Sequence, residues 1–377
     1  MLAWVLESFV EIFRFPEMSA GRSPKTRLPI ASPDDSWLAV GGAGADRLPL
    51  QIHYLQPSGL AALGSKEILA QIHYGDVAST VSVPSAHVPM SVPDQGAALE
   101  VWTSDLPVHY GHAGNIRFAR NDAVLVGVAR DAVAVSSERF EDSVYDIYTG
   151  IFRLIKEQGY ANLLRLSNHF PDINGVTAEL ENYQRFCRGR ARAFQACYGE
   201  SVAHVPSASA VGTRTGELVV YFIASREPGK HRENPRQVSA YHYPPQYGPR
   251  SPSFARATLT RWNETEALLI SGTASIVGYE TAHPGDLPAQ LEETLRNIEA
   301  LIESTSRDEN TCFTGVQDIT HLKIYLRDAA YYPTVRARLE KWLSPGAQVL
   351  YLRGDICRRD LLLEIEALVR ATRAPAR

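Results

Sequence analysis

The stretch YLRGDICRRDLLLEIEALVRA near the C-terminus carries side chains that could do acid–base chemistry, among them Cys357, Arg358, Glu364 and Glu366. Because alternate side chains of a strand point to opposite faces, a strand here places both glutamates on one face and apolar side chains on the other. Glu364 is then either a solvated charge or a carboxyl group held in a pocket. Desolvation in a pocket raises the pKa of a carboxyl group, which suits a general acid. We expect the carboxyl group of Glu364 to lie in a pocket.

Cys357 precedes these glutamates, with Arg358 and Arg359 directly after it. One interpretation is a small buried residue, which describes most cysteines. The other is a reactive thiol, because neighbouring positive charges favour the thiolate form.

A proline- and tyrosine-rich stretch, REPGKHRENPRQVSAYHYPPQYGPRSPSFARAT, lies in the middle of the chain. Its aromatic content argues against disorder, and its prolines stiffen the backbone. Tyr243 and Tyr247 are therefore expected either to close over a pocket or to pack within the linking segment. In the following ISGTAS, Gly272 and Ala274 either let a ligand approach the backbone closely or mark a β-bulge.

Two segments, near residues 115–225 and 250–375, repeat one order of predicted elements. This order predicts an α+β protein of two fused β-β-α-β-α-β domains, with helices on one face of each mixed sheet. The strand GELVVYFIAS of the first copy lacks carboxyl groups at the positions of Glu364 and Glu366, which indicates one site per chain unless exposed positions simply drifted. The predicted divisions are an N-terminal extension (1–24), a first domain with a β-rich extension (25–225), a connecting segment (226–250) and a site-bearing domain (251–377).

Composition narrows the class of protein. The 377 residues carry 38 basic and 42 acidic side chains, and no basic run indicates a nucleic-acid partner. The four cysteines are widely separated, which argues for a reducing compartment and against disulfides or a zinc site. The opening MLAWVLESFVEIFRFPE lacks the features of a signal peptide and is too short to span a bilayer. It is either an amphipathic helix or sequence that is not native to the protein, and we expect a cytoplasmic protein without a membrane partner.

The motifs ISGTASIVG, GDLPAQLEETLRNIEALI, LKIYLRD and LLLEIEAL resemble the YjgF/Rid family over about 120 residues. The chain from about residue 25 onward resembles the chorismatases, in which two such domains are fused. SAYHYPPQYGPRSPSFARAT, ISGTASIVG and DICRRDLLLEIEA carry this second resemblance.

The resemblance implies an enzyme that cleaves chorismate and releases pyruvate without a metal or a cofactor. It implies Glu364 as the acid that protonates the enolpyruvyl group and Cys357 as the residue that assists aromatisation. Members with cysteine at that position form hydroxybenzoate rather than a non-aromatic diene. The implied product is therefore 3-hydroxybenzoate, alone or together with 4-hydroxybenzoate.

Chorismate is a dianion, so its pocket needs cations, and guanidinium groups bind carboxylates in a bidentate manner. Arg358 matches the carboxylate-binding arginine of the YjgF/Rid pattern, and Arg256 and Arg353 are further candidates. For each of the three the alternative is a solvated surface arginine. Two other functions stay open, a YjgF/Rid-type enamine or imine hydrolase and a non-catalytic aromatic-acid binding protein. The assembly is expected to be a homotrimer or a monomer.

Overall fold

The computed structural model describes residues 47–75, 82–94 and 96–373, so the predicted extension at residues 1–24 lies outside the described residues. The β-rich stretch before the repeat forms a four-stranded sheet of order β1-β4-β2-β3. Its strands are β1 (Gln51–Leu55), β2 (Glu67–Tyr74), β3 (Ser85–Val88) and β4 (Leu99–Ser104). We call it the N-terminal sheet.

The first repeat forms a six-stranded mixed sheet of order β11-β8-β12-β7-β6-β5, in which β8 and β11 are parallel. Two helices cover one face, because their apolar side chains recur at helical spacing. The elements are β5 (His109–Ala113), β6 (Ile116–Arg120), β7 (Val124–Asp131), α1 (Phe140–Glu157), β8 (Asn162–Pro171), β9 (Val176–Thr177), β10 (Leu180–Glu181), α2 (Asn182–Tyr198), β11 (Ser207–Thr213) and β12 (Leu218–Ser225).

The second repeat forms a sheet of order β13-β14-β15-β20-β18-β19, in which β18 and β19 are parallel. Asp286 caps the start of its long helix by accepting a hydrogen bond from the backbone of Ala289 on its side chain, and Asn310 in the left-handed conformation caps the end. The elements are β13 (Lys230–Arg232), β14 (Ala257–Trp262), β15 (Thr265–Thr273), β16 (Ile276–Val277), β17 (Glu280–Thr281), α3 (Leu287–Glu309), β18 (Ile319–Leu326), α4 (Tyr332–Leu339), β19 (Gln348–Arg353) and β20 (Leu363–Thr372).

The predicted fold class, two fused α+β repeats with helices on one face of each sheet, is confirmed. Each repeat nevertheless holds more strands than the predicted order, and one of the added strands lies between its second helix and its last strand. In the first repeat this strand is β11, whose sequence SASAVGT is too poor in large apolar residues to signal a strand. It is buried all the same, since it lies where the two halves meet.

The helix-free faces of both six-stranded sheets and one face of the N-terminal sheet share one core. Trp102 of β4, Tyr221 of β12 and Tyr325 of β18 all contribute to it. The two six-stranded sheets also meet directly, because the backbone of Ala208 on β11 donates to the hydroxyl of Ser271 on β15 over 2.9 Å. β11 and β15 are therefore neighbours at the boundary between the two halves.

In the part of the chain that the structure describes, no helix is both long and apolar enough to cross a membrane.

Candidate active site

A cavity of about 380 Å³ lies between the two halves. The first half lines it from β10, α2 and β11, and the second from β15, the segment before β20 and β20 itself. The tyrosine-rich connecting segment closes another side. Of the nine predicted site residues, the eight that line this cavity are Tyr243, Tyr247, Arg256, Gly272, Ala274, Cys357, Arg358 and Glu364.

Glu364 lies on β20 with its carboxyl group at the cavity and only 5 % of its surface exposed. Leu363 and Ile365 point to the other face of the strand, where they pack in the core under the helices. Burial is the main cause that raises the pKa of Glu364 to about 8. The negative charge of Glu366 raises this pKa further, and the positive charge of Arg256 lowers it. Glu364 is thus not a solvated charge but a protonated acid at neutral pH.

Gly272 lets this carboxyl group lie against the backbone of β15. The pairing of β15 with β20 shifts register between Ile270 and Thr273, so Gly272 sits in a β-bulge. A side chain here would place its Cβ only 2.0 Å from Oε1 of Glu364. The β-bulge interpretation of Gly272 is therefore confirmed, and the side chain that approaches its backbone is that of Glu364. The close approach of a ligand stays a prediction.

Glu366 shares the inward face of β20 but has the opposite electrostatic environment. Its carboxylate lies 2.6 Å from Nη2 of Arg165 and 3.4 Å from Nζ of Lys323, and it accepts a 3.0 Å hydrogen bond from the hydroxyl of Tyr325. Desolvation opposes ionisation, but the two positive charges prevail and lower the pKa of Glu366 to about 2. Two carboxyl groups on one strand therefore hold opposite protonation states at neutral pH.

The thiol of Cys357 is partly exposed at the cavity. Burial and the neighbouring Glu364 raise its pKa to about 12, and the opposing effect of Arg358 is smaller. This environment does not favour the interpretation of Cys357 as a thiolate, because desolvation outweighs the charge of Arg358. Cys357 is a neutral thiol beside a neutral acid.

Arg358 presents a guanidinium group over the rings of Tyr247 and Tyr243, at 4.0 and 5.2 Å from their centroids. Its Nη1 donates to the carbonyl oxygen of Tyr279 over 2.9 Å. Its Nη2 is buried and, among the described residues, has no hydrogen-bond partner. A buried donor without a partner at a cavity wall is suited to an anionic ligand.

Arg256 lies deeper and ties the connecting segment to the cavity. Its Nη2 donates to the hydroxyl of Tyr243 and to the carbonyl oxygen of Val238, both over 2.8 Å. Its Nε is buried and without a partner in the described part of the chain. Tyr243 is thereby fixed by Arg256, and Tyr243 and Tyr247 form a wall rather than only packing the linker.

Arg353 does not line the cavity and is the one predicted site residue that the structure places elsewhere. It ends β19, where it pairs with Leu326, and its backbone N–H donates to the carbonyl oxygen of Ser91 over 2.8 Å. β19 pairs with β18 and is the edge strand of the sheet. The segment after β19, which contains Cys357 and Arg358, lines the cavity instead.

None of the lining residues from the first half was predicted; they are Glu181, Tyr183, Gln184, Arg190, Ala208, Ser209 and Ala210. Arg190 is buried on α2 among the rings of Tyr148 and Phe194, and its Nη2 donates to the carbonyl oxygen of Ser253. Its Nε has no partner in the described ranges. A charged residue on the apolar face of α2 was a usable signal, but the sequence does not show that this face meets the second half.

The described residues hold no cluster of three or more histidine, cysteine, aspartate or glutamate side chains that could bind a metal ion. The cavity instead combines one protonated carboxyl group, one neutral thiol and three guanidinium groups with free donors. Such a set can bind a small molecule with two carboxylates, through the arginines, and deliver one proton to it.

Comparison with known proteins gives relatives that are matched over most of their own length. A family described as chorismatase FkbO/Hyg5-like, N-terminal, matches residues 100–224. The 3-hydroxybenzoate synthase of Streptomyces hygroscopicus is 36 % identical over 81 % of this chain and 92 % of its own length. A chorismatase of the same organism is 38 % identical over 81 % and 90 %. A chorismatase crystal structure superposes with a TM-score of 0.80 at 35 % identity, covering 86 % of this chain and all of that one.

Proposed function

Because this chain belongs to the chorismatase family, we propose that it converts chorismate to 3-hydroxybenzoate and pyruvate, with Glu364 as the general acid. The observation that carries the proposal is the buried, protonated Glu364 in a cavity whose arginines keep unpaired donors. The three arginines, Arg190, Arg256 and Arg358, provide for the two carboxylates of the substrate.

The reaction begins when Glu364 transfers its proton to the terminal methylene carbon of the enolpyruvyl group. The ether oxygen then carries positive charge, its bond to the ring breaks, and pyruvate leaves. As that bond breaks, the adjacent ring hydroxyl oxygen, still carrying its hydrogen, bonds to the ring carbon that pyruvate leaves, and this bridge then opens with the oxygen on either of the two carbons. Loss of the ring proton from the carbon that keeps the oxygen restores aromaticity and gives 3- or 4-hydroxybenzoate. Hydroxybenzoate and pyruvate together contain the atoms of chorismate, so neither an oxidant nor a net water molecule is required.

Cys357 assists the aromatisation step in this scheme. After the first transfer Glu364 is a carboxylate, and the neighbouring thiol can give it a proton while accepting the proton that the ring loses. This relay balances, since Glu364 and Cys357 both regain their starting protonation. It also agrees with the high pKa of Cys357, because the thiol is never required as a free thiolate.

The first test is incubation of the purified protein with chorismate, followed by separation of the aromatic products and an enzymatic pyruvate assay. Equimolar hydroxybenzoate and pyruvate are expected, and Glu364→Gln should lose at least about 100-fold in kcat because the acid is gone. Full activity of Glu364→Gln would remove Glu364 as the acid. Binding of chorismate without turnover in the wild-type protein would favour the aromatic-acid binding function, and turnover of imines alone the YjgF/Rid-type hydrolase.

The second test concerns the product. Cys357→Ala should move product from hydroxybenzoate toward a dihydroxy-diene that contains one added water, which mass spectrometry distinguishes. Cys312→Ala is the matched control, because Cys312 is half-buried but donates to the carbonyl oxygen of Ala371 outside the cavity. An unchanged hydroxybenzoate yield from a folded Cys357→Ala protein would refute the role of the thiol.

A further inference from the structure

The buried ionic cluster behind β20 links the catalytic carboxyl group to the N-terminal sheet. In this cluster Lys323 is only 2 % exposed and lies 2.7 Å from Glu100 and 3.4 Å from Glu366. Arg165 closes the other side of Glu366 over 2.6 Å. Glu100 belongs to β4, Arg165 to β8, and Lys323 and Glu366 to the second repeat, so all three sheets meet here.

Burying four charged groups is expensive, and a cluster of this kind often adds less stability than apolar residues of the same size. The cluster therefore calls for a reason beyond stability. Tyr74 supports it by donating to Glu100 over 2.9 Å, and Tyr221 lies within 3.1 Å of both Tyr74 and Lys323. The hydroxyl groups of Tyr74 and Tyr221 hold the charged groups of the cluster in position by these hydrogen bonds.

A hydrogen-bonded path joins this cluster to the cavity through Ser209. Its hydroxyl group hydrogen-bonds to the carboxylate of Glu366, and its oxygen accepts a 3.1 Å hydrogen bond from the backbone of Gly272. Gly272 is the residue against which the Glu364 carboxyl group lies. Since a hydroxyl group has one hydrogen, Ser209 uses its hydrogen on Glu366 and has none to offer to Glu364.

We propose that Glu366 is a positioning residue of the reaction, whose fixed negative charge behind Glu364 keeps the catalytic carboxyl group protonated until substrate is bound. Arg165 and Lys323 keep Glu366 ionised, and Glu100 of the N-terminal sheet keeps Lys323 in place. The N-terminal sheet thereby contributes to the protonation state of Glu364, because its Glu100 holds Lys323, which keeps Glu366 ionised. This inference rests on the proposed role of Glu364.

The other groups around Glu364 do not supply the same effect. Arg256 acts against it, because a positive charge favours the carboxylate. On β15 the facing residue is Gly272, and on β18 Tyr325 directs its hydroxyl group to Glu366. Cys357 is a neutral thiol. Glu366 is therefore the negative charge that opposes ionisation of Glu364.

The test is the pH dependence of kcat/KM for chorismate in the wild-type protein and in Glu366→Gln, because the alkaline limb reports ionisation of the acid in the free enzyme. Glu366→Gln removes the repelling charge and leaves the cluster with one positive charge in excess, because Arg165 and Lys323 then face Glu100 alone, so the limb should move down by about one to two pH units. A role limited to stability would lower the folded fraction but leave the midpoint of the limb in place. That outcome overturns the proposal.

Glu366→Gln leaves Arg165 and Lys323 buried without a full counter-charge and can fail to fold, so a second variant is required. Glu366→Gln combined with Lys323→Met removes one charge of each sign and should shift the limb in the same direction by a smaller amount. Ser209→Ala keeps every charge of the cluster. Its alkaline limb should stay within about half a pH unit of the wild-type position, which is less than the shift expected for Glu366→Gln. A limb that stays at its wild-type position in the folded double variant refutes the proposal, whereas absence of wild-type turnover refutes the proposed function itself.

Discussion

Replacing Glu364 by glutamine should make the protein more stable, and increasingly so as the pH rises. The folded-state pKa of Glu364, about 8, lies above its ordinary value of 4.5, so the folded state holds a proton that the unfolded chain has lost. For a carboxyl group of this kind, stability falls as pH rises from about 4.5 to about 8. Glutamine has nearly the same shape and does not ionise, so the variant lacks this loss.

The size of the effect follows from the two pKa values. At pH 5 the unfolded chain has released most of the proton of Glu364, and each further pH unit up to 8 costs the folded state about 1.4 kcal/mol. Between pH 5 and pH 9 the advantage of Glu364→Gln over the wild-type protein should grow by on the order of 4 kcal/mol. The side chain is 5 % exposed, so screening by solvent removes little of this difference.

The assay is urea unfolding of the wild-type protein and of Glu364→Gln at pH 5, 7 and 9, followed by circular dichroism. Glu303→Gln on the exposed face of α3 is the matched control and should show the same difference from the wild-type protein at each pH. A constant difference for Glu364→Gln across this range would mean that Glu364 ionises near its ordinary pKa. It would also remove the electrostatic basis for its role as an acid.

Two further predictions concern the walls of the cavity. Gly272→Ala places a methyl group 2.0 Å from Oε1 of Glu364 and should misplace the acid, so kcat/KM, measured by pyruvate release, should fall by about 100-fold or more. The control is Gly150→Ala on α1, where a Cβ meets only Ile116 at 3.5 Å, and it should leave kcat/KM nearly unchanged. Equal losses of kcat/KM in the two variants would contradict the reasoning. Arg358→Lys keeps the charge but loses the planar group stacked on Tyr247, so KM should rise by about 10- to 100-fold with a smaller change in kcat. An unchanged KM would exclude Arg358 from substrate binding.

The parts of this site that follow the local pattern were predictable from the sequence. The alternation in LLLEIEAL places Glu364 opposite the helix-facing side chains, and the fold confirms that alternation. What the pattern does not contain is the environment of that face. Whether it meets solvent or another sheet depends on the approach of the first repeat and of the N-terminal sheet, which no local period encodes.

The first-half residues of the cavity were not predicted for the same reason. Tyr183 and Arg190 lie on one helix whose sequence reads as an ordinary amphipathic segment, and Ser209 lies on a strand of small residues. They become part of a site only because β11 packs against β15. Arg353 is the converse case, since its position next to the DICRR motif in sequence carries no information about the direction of its side chain.

The two glutamates of β20 show how one strand can carry one carboxyl group with a raised pKa and one with a lowered pKa. They share a face, yet Glu366 meets Arg165 and Lys323 while Glu364 meets the bare backbone of Gly272. An isolated pair of carboxyl groups would share protons between them. Here the paired positive charges fix one carboxylate, and desolvation together with that carboxylate fixes the other as an acid. The first repeat carries Tyr221 on the corresponding face of β12, and this strand has no carboxyl group. The duplicated fold therefore repeats the strand without the pair of carboxyl groups, which leaves Glu364 of β20 as the proton donor that we propose.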